Sequence, residues 1–260
     1  MMPVRLVLGA VTLASLTLGE RLRPLRRPVG SAWRRLAVNL AVAALAFGAV
    51  ALVYGTVVVG AIAWAERHGV GLVRWLGVPS TIASVLAVVL LDYTLWHWHW
   101  LNHRVGVLWR FHAAHHADVD LDASTALRFH PGELVISVLY RALQVIAIGV
   151  SLDALAAWET LVLVFTMFHH SNLRLGSRFE RVLGAVMITP RVHGIHHSRR
   201  PRELHSNFGT LSSVWDRLHR LRVTEVDQAS IEIGIPGEDP RVLGVAATLA
   251  LSFRAEVPAR

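Results

Sequence analysis

The sequence predicts an all-α integral-membrane protein, a bundle of about four transmembrane helices with a histidine-rich metal region at one membrane face. Three observations carry this. Of 260 residues, 53% are hydrophobic and only 17% charged. No charged residue occurs over the 30 positions from Leu36 to Ala65. There are 15 histidines, most of them in tight groups, and no cysteine. A disordered chain would need far fewer apolar residues. A disulfide scaffold, a Cys-based zinc or iron–sulfur site and a thiol nucleophile are excluded with cysteine.

The elements follow in order. Leu6–Gly19 is short and apolar. It is followed, not preceded, by a basic cluster, Arg21, Arg23, Arg26, Arg27, Arg34 and Arg35. This is the reverse of a signal peptide, so the run reads as a short first span or a helix lying in the interface. Leu36–Ala65 exceeds the roughly 20 apolar residues that cross a bilayer as helix. Trp75–Leu91, extended past Asp92 to Trp96, is the second span. Leu134–Phe168 is long enough for a helical hairpin, with Ser151–Asp153 near its turn and Arg141, Asp153 and Glu159 interrupting it. Val242–Ser252 is too short to span and reads as a packed or interfacial helix.

All 26 basic residues are arginine. Six lie in 20–35, three in 103–133, thirteen in 170–260, but only two in 66–74. The positive-inside rule then puts the first three segments in the cytoplasm and the 66–79 loop outside. The net charge of +8 thus follows topology and suits anionic lipid head groups, with no nucleic-acid recognition motif to compete. The chain divides into 1–35, a short span or interfacial helix with a basic segment; 36–220, the bundle and its histidine region; and 221–260, a C-terminal extension.

The histidines carry the chemistry. His99 and His103 are spaced i, i+4. His112, His115 and His116 are spaced i, i+3, i+4, and His193, His196 and His197 repeat that pattern. On a helix each set leaves one face, so each is expected to aim its nitrogens at one point. Imidazole is a ligand for iron, zinc, copper or nickel. Eight or more such ligands exceed one ion, so two metals are expected. His68 and His219 lie outside any cluster and read as ordinary polar residues; His97, His169 and His205 sit beside clusters. The clusters begin where the second span ends and resume where the hairpin ends, where a lipid tail from the bilayer can meet electrons from the cytoplasm. An ion-transport path would instead put polar ligands near the midplane.

In order and spacing these residues resemble the fatty acid hydroxylase/sterol desaturase superfamily of integral-membrane histidine-box di-iron enzymes. The likeness covers about 92–218. It rests on His99 and His103, L-W-R-F-H-A-A-H-H at 108–116, T-A-L-R-F-H-P-G-E at 125–133, H-S-N-L at 170–173, T-P-R-V-H-G-I-H-H-S at 189–198 and S-N-F-G-T-L-S-S-V-W-D-R-L at 206–218. The resemblance implies a cytosolic helical cap over the bundle and two irons. It puts His99, His103, His112, His115, His116, His170, His193, His196 and His197 on ligand positions. His130, His97, His169, Asp92 and Asn172 are further candidates for a metal or a ligand-supporting role. The sequence departs from the family pattern at Trp100, His169, His205 and Leu218-His219-Arg220, without losing a ligand position.

The di-metal centre itself would do the chemistry, with no separate protein acid or base. Two ferrous ions on neutral imidazoles can reduce O2, the co-substrate, and attack a lipid C–H bond, giving hydroxylation or desaturation. Hydrogen-bond acceptors should fix the histidine tautomers, and Asp92, Asp118, Asp120, Asp122, Glu133, Asn172 and Asp216 are candidates. No flavin or nicotinamide fingerprint occurs, so an external reductase, ferredoxin or cytochrome is implied. H-P-G-E at 130–133 has no haem domain around it. The rival class is a non-enzymatic membrane metal-binding or transport protein, but Leu36–Ala65 offers only Asn39, Tyr54 and Thr56 as polar groups. A zinc hydrolase of the H-E-x-x-H type lacks its motif.

Overall fold

The computed structural model describes residues 2–238, 241–256 and 258, with side chains from residue 4 onward. The regular elements of those residues are all helical, with three isolated β-bridges and no strand among them. Helix α1 is Met2–Leu22, α2 is Ala32–Tyr54, α3 is Gly60–Arg67 and α4 is the single turn Leu72–Trp75. Then come α5 Ser80–Asn102, α6 Gly106–His116, α7 Pro131–Ile148 and α8 Leu152–His170. The short helices α9 Ser177–Gly184, α10 Pro190–His196, α11 Pro201–Leu204, α12 Val214–Leu218 and α13 Val245–Leu249 follow.

Four stretches are long and apolar enough to cross a membrane: Ala32–Trp75, Ser80–Asn102, Pro131–Ile148 and Leu152–His170. Their outward faces carry exposed Leu45, Phe47, Leu52, Val85, Leu139 and Leu143. A soluble helix would put polar residues there; a lipid-facing helix keeps them apolar. Their inward faces pack Val58, Ile62, Leu91, Val138, Val145, Leu155 and Trp158 into one core.

The second span starts later than the sequence suggested, at Ser80 instead of Trp75. Gly77 takes a left-handed φ of 61° and Pro79 precedes the first helical residue, so the chain turns before α5 begins. The hairpin turn also falls slightly earlier. Helix α7 stops at Gly149, φ 82°, and Ser151 caps α8 by accepting from the Ala154 amide. Gly71, φ 126°, presses against this corner: a Cβ there would lie 2.2 Å from the Gly149 Cα. Only glycine fits such an approach.

Between α2 and α3 the helix loosens into a π turn, Gly55–Val59. Helix α1, which the sequence left between span and interface, lies along α8. Arg5 reaches Glu159 and the Ala156 carbonyl near one end, and Glu20 accepts from the Asn172 amide near the other.

The start of α2, the end of α5, the start of α7 and the end of α8 all lie at one end of the bundle, where α6 and α10–α12 are seated. A buried polar network joins the two parts. Arg35 of α2 donates to both Asp118 oxygens, at 2.7 and 2.9 Å, and pairs with Asp122 at 2.7 Å. Arg128 reaches Asn39, the Ala114 carbonyl and Thr248. The C-terminal segment joins this cap: Leu251 and Ala255 pack on Trp109 and Ala113.

Candidate metal centre

Four elements bring histidines together. Helix α5 supplies His99 in its last turns and His103 just past its end. Helix α6 supplies His112, His115 and His116, α8 ends on His170, and α10 supplies His193 and His196 with His197 following. Pro190 opens α10 at its first position, where a missing N–H loses nothing. One ring nitrogen from each of these nine residues falls into two groups: His99, His103, His112, His116 and His196; and His115, His170, His193 and His197. Within each group the nitrogens lie within 4.8 Å of one another.

The triplets do not aim at one point, as their spacing suggested. His112 and His116 join the five-nitrogen group while His115 joins the other. On α10 the split is reversed: His193 and His197 join the four-nitrogen group, and His196 the five. The reason is helical phase. Successive residues are about 100° apart, so i and i+4 differ by only about 40° while i+3 falls on the other side, about 100° from i+4. Every i, i+4 pair stays together, and every i+3 residue crosses over.

Hydrogen bonds fix several tautomers. A carbonyl or carboxylate oxygen can only accept, so a ring nitrogen facing one carries the proton. His99 Nδ1 donates to the Phe208 carbonyl at 2.9 Å, and His196 Nδ1 to Ser206 at 2.7 Å. His115 Nδ1 donates to Arg128 at 3.2 Å, and His170 Nδ1 to Thr166 at 2.7 Å. His112 Nδ1 donates to Glu133 Oε1 at 2.9 Å. In all five the Nε2 lone pair is left pointing inward.

This creates a problem that a cation resolves. The Nε2 atoms of His170 and His115 face each other at 3.0 Å, and both carry lone pairs. His193 Nε2 lies 3.0 Å from His170 Nε2, and His197 Nε2 3.1 Å from His193 Nε2. In the five-nitrogen group the Nε2 of His99, His112 and His196, and both nitrogens of His103 and His116, are buried without a hydrogen-bond partner among the described residues. Buried polar atoms left this way are costly, and native proteins rarely leave so many in one place. Burial, reinforced by neighbouring imidazoles, holds His103, His115, His116, His193, His196 and His197 well below the ordinary histidine pKa. They are therefore neutral at pH 7, the form that binds a metal. The donor set fits two metal ions: nine imidazole nitrogens in two converging groups, with outer nitrogens of five rings donating to protein acceptors.

The other candidates lie outside both groups. His130 caps α7, its Nδ1 accepting from the Gly132 amide at 2.9 Å. His97 Nδ1 donates to the Tyr93 carbonyl at 3.1 Å, and the ring packs edge-on against Trp96. His169 is buried with its ring 4.1 Å from that of His193, in contact with the four-nitrogen group. Asp92 accepts from the Leu211 and Ser212 amides and from Trp215. Asn172 bonds the Arg26 backbone. His68 bonds Trp64, His219 stacks on Trp96, and His205 Nε2 lies 3.2 Å from the Pro258 carbonyl.

Among the carboxylates considered for tautomer control, Glu133 touches a group histidine directly. Asp216 acts one layer out: it accepts from the Phe208 and Gly209 amides and from Trp96 Nε1, steadying the carbonyl that holds His99. Asp118, Asp120 and Asp122 serve Arg35 and nearby amides instead. The acceptors that sequence reasoning missed are backbone carbonyls, of Arg128, Thr166, Ser206 and Phe208. Any residue type has one, so no composition signal marks them.

A cavity of about 440 Å³ opens from the histidines into the bundle. His99, His112, His115, His170 and His193 line one end; Leu95, Trp98, Phe129, Leu134, Val138, Val162 and Leu163 form its walls. It continues between α2, α7 and α8 to Tyr54, Arg141 and Glu159.

Comparison with known proteins gives a consistent picture. The sequence model of the fatty acid hydroxylase family matches residues 84–220, more than half of the chain. Ornithine lipid hydroxylase OlsE of Rhizobium tropici is 30% identical over 178 residues, 67% of this chain and 51% of that protein. Alkylglycerol monooxygenase of Xenopus tropicalis is 26% identical over 138 residues, 53% of this chain and 30% of that protein. The Homo sapiens alkylglycerol monooxygenase is 25% identical over 128 residues, 49% of this chain and 28% of that protein. The chain thus spans about half the length of the first relative and under a third of the other two. No solved structure matches.

Proposed function

The chain belongs to the fatty acid hydroxylase family, and from that premise we propose that it is a membrane-bound di-iron oxidoreductase that uses O2 to hydroxylate a lipid C–H bond. The observation that carries the reading is the convergence of two sets of imidazole lone pairs at the mouth of an apolar cavity. His99, His103, His112, His116 and His196 would hold one iron, and His115, His170, His193 and His197 the other. Bound irons would supply the reduction of dioxygen and the removal of hydrogen from an unactivated C–H bond.

The chain's own residues do the rest. Glu133 and the carbonyls of Phe208, Ser206, Arg128 and Thr166 keep five imidazoles in one tautomer and one orientation. That leaves no reorganisation for the moment of reaction. Phe129, Leu134, Val138 and Leu163 line the path with hydrocarbon, which favours a lipid chain and excludes water. Named hydroxylase and monooxygenase relatives favour hydroxylation over desaturation; the candidate substrates are fatty acyl, sterol, carotenoid and ether lipids, to which the ornithine lipid hydroxylase relative adds ornithine lipids.

The histidine end of the bundle faces the cytoplasm on this reading, because the arginine-rich segments lie there. Electrons come from a separate reductase, ferredoxin or cytochrome. The 36–220 segment is the functional unit, with 1–35 and 221–260 supporting it. The test is to express the chain with and without His193→Ala and compare the extracted lipids. The expected result is a lipid heavier by one oxygen atom, in which oxygen from labelled O2 is incorporated, present only with the intact chain. Identical lipid profiles, with no oxygen uptake by the reduced protein on any lipid extract, would remove the proposal.

A further inference from the structure

The cavity does not end in hydrocarbon. At its far end α1, α2, α7 and α8 bring charged groups together inside the bundle. Glu159 accepts from Arg5 Nη1 at 2.9 Å and from the Tyr54 hydroxyl. Arg5 also donates to the Ala156 carbonyl at 2.6 Å. Arg141 lies on the same wall, its guanidinium 4.0 Å over the Trp158 ring and its Nη1 donating to Gln144 at 2.6 Å. Gln144 in turn bonds Thr94. Arg5, Tyr54, Arg141 and Glu159 all line the cavity.

Two features separate this cluster from a structural ion pair. First, its charges do not balance. Glu159 is taken by Arg5, and among the described residues no carboxylate lies within 4.0 Å of Arg141. Two guanidiniums and one carboxylate leave one positive charge inside a membrane bundle. Such groups are rare there, and they face functional cavities when they occur. Second, Arg141 is held with donors to spare. Trp158 covers one face and Gln144 takes one N–H, while a guanidinium has five in a planar fork that matches a carboxylate.

We propose that Arg141, set by Trp158 and Gln144, is the anchor of a second subsite that binds one anionic end group of the lipid, a carboxylate, and so fixes which carbon reaches the histidines. This rests on the lipid-oxidising reading for its consequence, but not for the binding itself. Arg141 and Glu133 lie on the same helix, and Glu133 bonds His112. At 1.5 Å rise per residue the anchor is about 12 Å from the histidine end. The carboxylate therefore sits remote from the reacting carbon, and the chain between them lies against Leu134 and Val138.

The test is equilibrium binding of radiolabelled hexadecanoate and hexadecan-1-ol to the full-length chain as purified, without reductant, in detergent micelles at a pH where the acid is ionised. Hexadecanoate should bind about tenfold tighter or more, as expected of hydrogen bonds to a charged group. Arg141→Gln should bring the two affinities to within about twofold, by losing carboxylate affinity and leaving the alcohol unchanged, and Arg141→Lys should retain part of the preference. Glu159→Gln should act in the opposite sense and widen the preference, because it removes the negative charge. That opposite sign also guards against reading misfolding as lost recognition. Equal affinities in the unaltered chain, a preference that survives Arg141→Gln, or one that narrows in folded Glu159→Gln would overturn the proposal. Because binding is read without reductant and hence without turnover, the outcome is independent of the oxidase reading. A chain that binds two irons and consumes oxygen but ignores the carboxylate loses only the subsite; one that prefers the carboxylate but takes up no iron keeps it.

Discussion

The two histidine groups are built from the same helices but held differently. The five-nitrogen group lies toward the cap. Among the described residues, its members His103 and His116 have no hydrogen-bond partner on either ring nitrogen, and His99, His112 and His196 are each steered by one acceptor. The four-nitrogen group has fewer members, drawn together at 3.0–3.1 Å, and three of its four histidines line the cavity. Only two of the other five do so. Five nitrogens nearly fill an ion's coordination shell; four leave positions for ligands. On the proposed reading the cap-side group holds its metal, and the cavity-side group meets oxygen and substrate.

That difference can be broken directly. The largest effect should come from His115→Ala, which removes one of four nitrogens at the cavity. Oxygen-dependent turnover should fall by more than about 100-fold, the upper end of what even outer-shell losses produce, and iron content should drop with it. His116→Ala leaves four nitrogens in its group and should retain more iron. Iron per chain measured on both variants checks the asymmetry, and an equal loss would erase it.

Next is the frame behind both groups. Arg35→Gln removes one partner of a buried ion pair that includes Asp118 and Asp122. Leaving buried carboxylates uncompensated costs about 3–5 kcal/mol. Thermal unfolding should show a large loss of stability, while the iron content of whatever remains folded stays near normal. Glu133→Gln is smaller and one-sided. It should weaken metal binding by about 10–100-fold in the five-nitrogen group only, read as loss of one metal before the other during chelator titration. The smallest effect is His130→Ala, which removes a helix cap worth about 0.5–2 kcal/mol. Stability should fall modestly and iron content should not change; loss of a metal would make His130 a ligand.

Much of this was legible in the sequence because the signals are periodic. The apolar runs marked the helices, and the missing charges from Leu36 to Ala65 marked the longest one. The i, i+4 spacing marked histidines that would stay together. What spacing did not reveal was the division of each triplet: the 100° step turns the i+3 residue away from the i, i+4 pair, but only the packing of α5, α6, α8 and α10 puts a second group of nitrogens on that side. The carbonyls that orient the rings were invisible for want of a residue signature. Arg141 and Glu159 read in sequence as interruptions of a span. Only the meeting of α7 and α8 with Tyr54 and Arg5 makes them a cluster.

The central claim is that nine imidazoles form two separate metal positions. Metal analysis of the chain purified without oxygen tests it most directly. The account predicts two irons per chain, falling to about one when the five-nitrogen group alone is crippled by combining His103→Ala with His116→Ala. One metal or none in the unaltered chain, or loss of both metals together in that double variant, would contradict it.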